Sequence, residues 1–492
     1  MINRWKFVVF TMCILLIQPL PYSFGKGIIF IFDYKNNVDD NWNRTYEGNF
    51  TVEDIEEALD GGYILVGSTY FDGNETADAW IMKLDENGDV EWSKTFGGKG
   101  FDIFMSVVVA EDGYIAVGIL DYFGNISDAW AIKVDKDGNE IWNKTFGGER
   151  VDAALSIKKS EEGFIIAGMT ESFGFPDDDA WLIKIDKDGN EIWNKTYGVI
   201  GIDLATDIEV VKDGYIFAGS VWPKWENRNA RLIKVDNDGN VIWQKEYDKN
   251  GYEAIHSLRK TPDGYILAGF TVSDTTHNEN AWLIKVDKEG NEIWNKEYPA
   301  NNASHVYDVE IADSGYLFVG YTLAGDISNG WMVRVDENGY VEYNRTFTQF
   351  EYSSINAIKK VNGGYILAGD IAPAGKEGVL LIKYTPDPTH IWVGIKRPKG
   401  SYLYFNDREI VPISKTIIIG KITIEINAYS EVGINKIEFF VDEKIKYIAQ
   451  ERPYAWLWDE KVIGSHEIKI CAYNREGYSK EAKTNILILN FW

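Results

Sequence analysis

The chain has 492 residues, a formal net charge of −26 at pH 7 and 14% aromatic residues, with 18 tryptophans. So many large apolar side chains exclude global disorder, and the negative balance excludes sequence-independent binding to nucleic acid phosphates. Of only two cysteines, Cys13 lies in the N-terminal apolar run and Cys471 stands alone, which excludes a cysteine-built metal or redox site.

Residues 1–25 read as a signal peptide. Arg4 and Lys6 precede an apolar run from Phe7 to Ile17, Pro19 and Pro21 end it, and Ser23-Phe24-Gly25 offers a cleavage site. The run is short for a membrane span. An uncleaved N-terminal anchor is the alternative, because residues 28–32 are apolar too. The expectation is export to the cell surface or beyond, with no membrane span after cleavage.

Residues 26–385 repeat. Gly-Tyr or Gly-Phe begins at Gly62, Gly113, Gly163, Gly214, Gly264, Gly315 and Gly364, a spacing of 49 to 51 residues. The second unit parses into FDIFMSVVV, YIAVGIL, AWAIKVD and EIWNKTF, separated by Asp-Gly turns or a long loop. Such β-rich runs with tight turns are antiparallel strands. Seven units of four strands predict an all-β fold, a seven-bladed β-propeller. The fourth-strand phrase also appears as DNWNRTY at 40–46, before the first complete unit, whereas the seventh unit loses it. The N-terminal strand is therefore predicted to close the last blade, which removes open edges.

Third strands carry Trp80, Trp130, Trp181, Trp282 and Trp331, with Arg231 in the fourth unit. Fourth strands carry Trp42, Trp92, Trp142, Trp193, Trp243 and Trp294, with Tyr343 in the sixth. Every second strand carries a glycine (Gly67, Gly118, Gly168, Gly219, Gly269, Gly320 and Gly369). A glycine weakens a strand unless something needs its space. The expectation is an indole packed over each glycine, which makes these tryptophans core.

The spacing Asp135-x-x-Gly138-x-x-x-Trp142 resembles the tryptophan-docking motif of quinoprotein (PQQ-like) propellers. The repeats also resemble those of exported prokaryotic and archaeal propeller proteins. The turn differs from the quinoprotein Thr-Gly, and the adjacent-cysteine pair of many quinoprotein dehydrogenases is absent. The resemblance therefore implies the fold and not the cofactor, and no cofactor is expected.

Pro386 and Pro388 mark a linker at 386–394, and beyond it the period vanishes. Strand-like runs about ten residues apart over 395–492 predict a β-sandwich. The phrases GINKIEFFVD, PYAWLWD and HEIKICAYNREG resemble bacterial-type Ig-like domains, whose usual role is spacing or adhesion. This segment holds 15 Lys+Arg and 13 Asp+Glu, leaving the repeat region near −30.

Two features suggest cations. The turns DENGD (85–89), DKDGN (135–139 and 186–190), DNDGN (236–240) and DKEGN (287–291) carry alternate oxygen side chains. EF-type calcium loops place Gly sixth and Glu twelfth. Here Gly is fourth, so a hairpin turn is the better reading and Ca2+ the alternative. Asp102, Asp152, Asp203 and Glu253 stand eleven residues before the repeated glycine. They predict either a partial acidic ring at a channel mouth, able to hold a metal, or a set of turn caps. Catalytic patterns are poor. Only His256 and His305, in neighbouring first strands, could approach each other, and neither has a Ser or Cys partner at a recognisable spacing.

The unrepeated loops between second and third strands suggest recognition, since function concentrates on variable loops held by a rigid scaffold. They carry Tyr70, Phe71, Tyr122, Phe123, Phe173, Phe175, Trp222 and Trp225, with Lys224, Arg228 and Arg231 adding positive charge. Aromatic faces beside polar groups suit sugars or protein partners. Trp222 and Trp225 are expected to lie outside the core. Sequons at Asn43, Asn49, Asn74, Asn125, Asn143, Asn194, Asn302 and Asn344 are candidate glycosylation sites. The expected function is non-catalytic recognition or adhesion toward a glycan or protein ligand. The alternatives are an exported enzyme acting on glycans or peptides through carboxylates, and a structural envelope component.

Overall fold

The computed structural model describes residues 30–34, 42–70, 76–123, 126–175, 177–199, 201–222, 228–249, 251–273, 278–300, 302–325, 327–348, 350, 352–372 and 378–491. Every helix or strand element among them is a β-strand, so no described helix is long and apolar enough to cross a membrane. The repeat region forms four separate four-stranded antiparallel sheets, an eight-stranded sheet in which the first two units join through a single parallel pair, and a five-stranded sheet at the seventh unit. The third unit is typical: Asp152–Ser160, Gly163–Thr170, Asp179–Ile185 and Glu191–Tyr197 pair in that order. First strands gather at the centre. Ser106, Ser156 and Ser257 donate across units to Asp54, Asp207 and Asp308 at 2.9, 2.8 and 2.7 Å.

The seventh unit is closed as expected. Its strands Ala357–Val361, Gly364–Ile371 and Gly378–Tyr384 are completed by Trp42–Glu47, in register from Trp42 opposite Lys383 to Glu47 opposite Gly378. A further strand, Phe30–Tyr34, pairs with the outer side of Trp42–Glu47. Across the closure, Val52 N–H donates to Asp370 Oδ1 at 2.9 Å and Asn356 Nδ2 to the Val52 carbonyl at 2.8 Å. Tyr46, Val52 and Trp80 share one apolar cluster with Ile366 and Leu381, so residues 300 apart in sequence bury each other.

The second-strand glycines have a different first cause from the one expected. In six units the ladder between first and second strands slips by one residue, as between Ala154 and Ser156. This is a β-bulge, which leaves one residue unpaired and bends the strand. A Cβ on Gly168 would stand 2.0 Å from the Ala153 carbonyl oxygen, and one on Gly219 would stand 1.9 Å from that of Leu204. The bulged carbonyl occupies the side-chain space. The indole comes second: Trp80 lies opposite Gly67, and its Nε1 donates to the same Thr51 carbonyl at 2.9 Å.

Third-strand tryptophans are core, with Trp80, Trp130, Trp181 and Trp282 at 1% exposure or less. Fourth-strand tryptophans are half-buried instead. Each docks on the hairpin of the next unit. Trp92 Nε1 donates to the Lys136 carbonyl at 2.8 Å, and a Cβ on Gly138 would stand 2.9 Å from the Trp92 ring. Gly138 has φ +77°, so the turn needs glycine for both its backbone and its neighbour.

The C-terminal domain is a sandwich of a three-stranded and a seven-stranded sheet around Tyr404, Ile418, Phe439 and Trp458. Strand Ile391–Arg397 already pairs with Ile422–Ser430, so the sandwich begins inside the stretch read as linker. It rests on the sixth unit. There Glu342 replaces the exposed isoleucine of other units (Ile141, Ile192, Ile242, Ile293) and is buried between Arg334, at 3.1 Å, and the Ile434 N–H. Tyr384 Oη donates to Glu431 at 2.8 Å across the same joint.

Candidate functional site

The loop residues separate under the tertiary structure. Phe71, Lys224, Trp225, Asn74 and Asn125 lie outside the described residues, as do the side chains of Tyr70 and Phe123. Phe173 and Phe175 are exposed at 41% and 47%, with Phe173 leaning on Trp181 at 5.7 Å. Tyr122 is half-buried against an apolar cluster.

Trp222 corrects the expectation. It is only 8% exposed and belongs to the cluster of Ile103, Ile119, Val151, Met169, Ile202 and Leu204. The strand Gly214–Trp222 runs through it, paired opposite Ile202, so strand alternation turns the ring inward. Arg228 and Arg231 are buried as well. Arg231 Nη1 meets Asp203 at 2.8 Å and Nη2 meets Gln244 at 2.9 Å. In the third unit, the corresponding Trp181 Nε1 donates to Asn194 at 3.1 Å. The Trp-to-Arg exchange is thus balanced by partners inside the blade, and Arg231 is not a cation on the loop face.

Asp102, Asp152, Asp203 and Glu253 are at most 1% exposed, and each serves its own unit. Asp102 accepts from Gly98 and Asp121 N–H, and Asp152 from Gly148 N–H and Ser172. Asp203 accepts from Val199 N–H and Glu253 from Thr271. These hydrogen bonds fit the turn-cap alternative. No group of three or more His, Cys, Asp or Glu among the described residues is placed to hold a metal ion. The Asp-Gly turns are equally occupied. Asp135 Oδ1 accepts from the N–H of Asp137 and Asn139, and Oδ2 from Asn139 Nδ2, which holds its carboxyl below the usual range.

Asn143 and Asn194 are exposed, yet their Oδ1 atoms accept the indole N–H of Trp130 and Trp181. Asn302 and Asn344 are exposed, and Asn43 and Asn49 partly so.

The facing first strands hold what sequence reasoning left undeveloped. Bulged or equivalent residues of the seven first strands are Glu53, Met105, Leu155, Thr206, His256, Tyr307 and Asn356. Three residues further on stand Glu56, Val108, Lys158, Glu209, Arg259, Glu310 and Lys359, so acid and base alternate around most of this layer. Arg259 bridges Asp207 at 2.9 Å and Asp308 at 2.6 Å, and Lys359 pairs with Glu56. This layer is charge-balanced even though the repeat region is acidic.

Nearer the loop side, units five and six place a chain of polar groups. His256 Nε2 lies 3.1 Å from His305 Nε2, and His305 Nδ1 lies 2.5 Å from Glu279 Oε1. Tyr321 Oη donates to the same oxygen at 3.2 Å. Phe270 stacks on His305 at 4.6 Å, and Tyr307 packs against both imidazoles. Glu279 follows the variable loop of unit five and its side chain is 27% exposed, whereas His305 is buried. Burial, with His305 adding, drives the His256 pKa well below the ordinary value, so this ring is neutral. Burial also pushes Glu53 up to about 8, with Asp370 adding to the shift; its Oε1 is buried and makes no hydrogen bond. The available signal was the scarcity of histidine, five in the chain, with two placed 49 residues apart, close to one period.

Residues 178–401 match the repeat family of outer membrane protein assembly factor BamB, and residues 410–470 match the bacterial Ig domain. No curated protein matches the chain. Among solved structures, Sqt1 from Chaetomium thermophilum is 12% identical over 68% of this chain and 96% of its own, with a TM-score of 0.40. Fibronectin(III)-like modules of Clostridium thermocellum CbhA are 20% identical over 20% of this chain and all of theirs, with a TM-score of 0.16. Repeats similar to those of the BamB propeller family are thus followed by a segment similar to a bacterial Ig domain.

Proposed function

We propose that this is an exported, non-catalytic recognition protein that binds a glycan or peptide ligand at the loop-side mouth of its channel. The observation that carries the reading is where the repeat is broken. At the position of His305 the second to fifth units carry Ile103, Ala153, Leu204 and Ala254. Only unit six offers an imidazole, linked to a partly exposed carboxylate and flanked by aromatic rings. Aromatic faces and directional polar groups together suit a sugar or a peptide. The signal-like N-terminus and the bacterial Ig domain support a place at the cell surface or outside it.

The hydrogen-bonded sequence Glu279–His305–His256 favours one second reading, acid–base hydrolysis of the same ligands. Glycan and peptide arrays probed with the full chain and with Glu279→Gln test both readings. Binding lost in the variant without turnover in the native protein supports recognition. Turnover supports the enzyme, and unchanged binding places recognition elsewhere.

A further inference from the structure

We propose that His256 and His305 form two corners of an open site for a divalent first-row transition cation of the zinc or copper class. The first argument is distance. Nitrogen ligands lie about 2.0–2.1 Å from such a cation. Two Nε2 atoms 3.1 Å apart then subtend roughly 100° at the metal, between the square-planar and tetrahedral values.

The second argument is orientation. Glu279 Oε1 lies 2.5 Å from His305 Nδ1, and Tyr321 holds that same carboxylate oxygen. A carboxylate on Nδ1 keeps the proton there, raises the basicity of the imidazole and aims the Nε2 lone pair outward. Phe270 and Tyr321 stack on the His305 ring at 4.6 and 5.4 Å and fix its plane. Without a cation, one proton on His256 Nε2 closes the gap as an N–H···N bond. Binding moves that proton to His256 Nδ1, so both Nε2 lone pairs reach the metal and no net proton is released.

The third argument is what the other corners meet. Two protein nitrogens leave at least two positions of a four-coordinate cation open to water or to an oxygen of a bound ligand, so the site is not a closed structural one. The inference goes beyond the recognition reading, since its test uses the cation alone.

The experiment titrates Zn(II) and, separately, Cu(II) into chelator-stripped full chain by calorimetry, with electron paramagnetic resonance of the copper form. One saturable equivalent is expected, with nitrogen couplings from two imidazoles. His256→Ala and His305→Ala each weaken affinity at least about tenfold, and Glu279→Gln, which keeps both imidazoles, by about 10–100-fold. Circular dichroism checks the fold of each variant. If an alanine variant does not fold, the nitrogen couplings of the native protein decide. A copper spectrum without imidazole coupling, no saturable binding, or unchanged affinity in folded histidine variants overturns the proposal and assigns any binding to the acidic surface.

Discussion

Glu53 makes the stability of the protein depend on pH in a predictable direction. Its carboxyl sits at a bulge facing the channel, near Asp370, and is pushed from 4.5 to about 8 chiefly by burial. Between those values the folded state binds a proton that the unfolded state has released, so stability falls as pH rises. Its contribution is fully present below about pH 4.5 and lost once pH passes about 8. A shift from 4.5 to about 8, at about 1.4 kcal/mol for each factor of ten in proton affinity, amounts to roughly 3–6 kcal/mol. Glu53→Gln keeps the shape and removes the titration. Urea unfolding of both proteins at pH 5, 7 and 9, with chelator present, should show the variant gaining on the native chain by several kcal/mol between pH 5 and 9. The difference between the two isolates Glu53 from other titrating groups. Parallel pH profiles would refute the reasoning, because they would mean that Glu53 is solvated or paired.

Three further outcomes follow from the packing. Gly168→Ala drives a Cβ to 2.0 Å from the Ala153 carbonyl and should cost about 1–3 kcal/mol or more; Gly400→Ala, whose Cβ would meet nothing within 4 Å, should cost less in the same urea titration. Arg231→Ala strands the buried Asp203 and should cost about 3–5 kcal/mol, with the double variant Arg231→Ala, Asp203→Ala recovering part of the loss in a double-mutant cycle. Trp222→Ala should behave as a core truncation, costing about 3–5 kcal/mol of stability; loss of ligand binding at unchanged melting temperature would restore the loop-face reading.

The architecture was legible because each unit writes its own strands and turns locally. Asp-Gly turns such as Asp135 to Asn139 close on their own backbone within five residues, and the displaced phrase at Trp42 announced the closing strand that pairs with Gly378–Tyr384. What only the tertiary structure decided concerns contacts between units. A one-residue bulge near Ala154 sets which side chains face the channel and why Gly168 has no room for a Cβ, and the residue types do not announce it. Trp222 looked like a loop residue because its partners, from Ile103 to Leu204, come from two earlier blades as well as its own. His256, Glu279 and His305 are 23 and 26 residues apart in sequence, and they meet because units five and six pack side by side. Local turn chemistry can be read along a chain, whereas burial and hydrogen-bond partnership depend on which blade stands beside which.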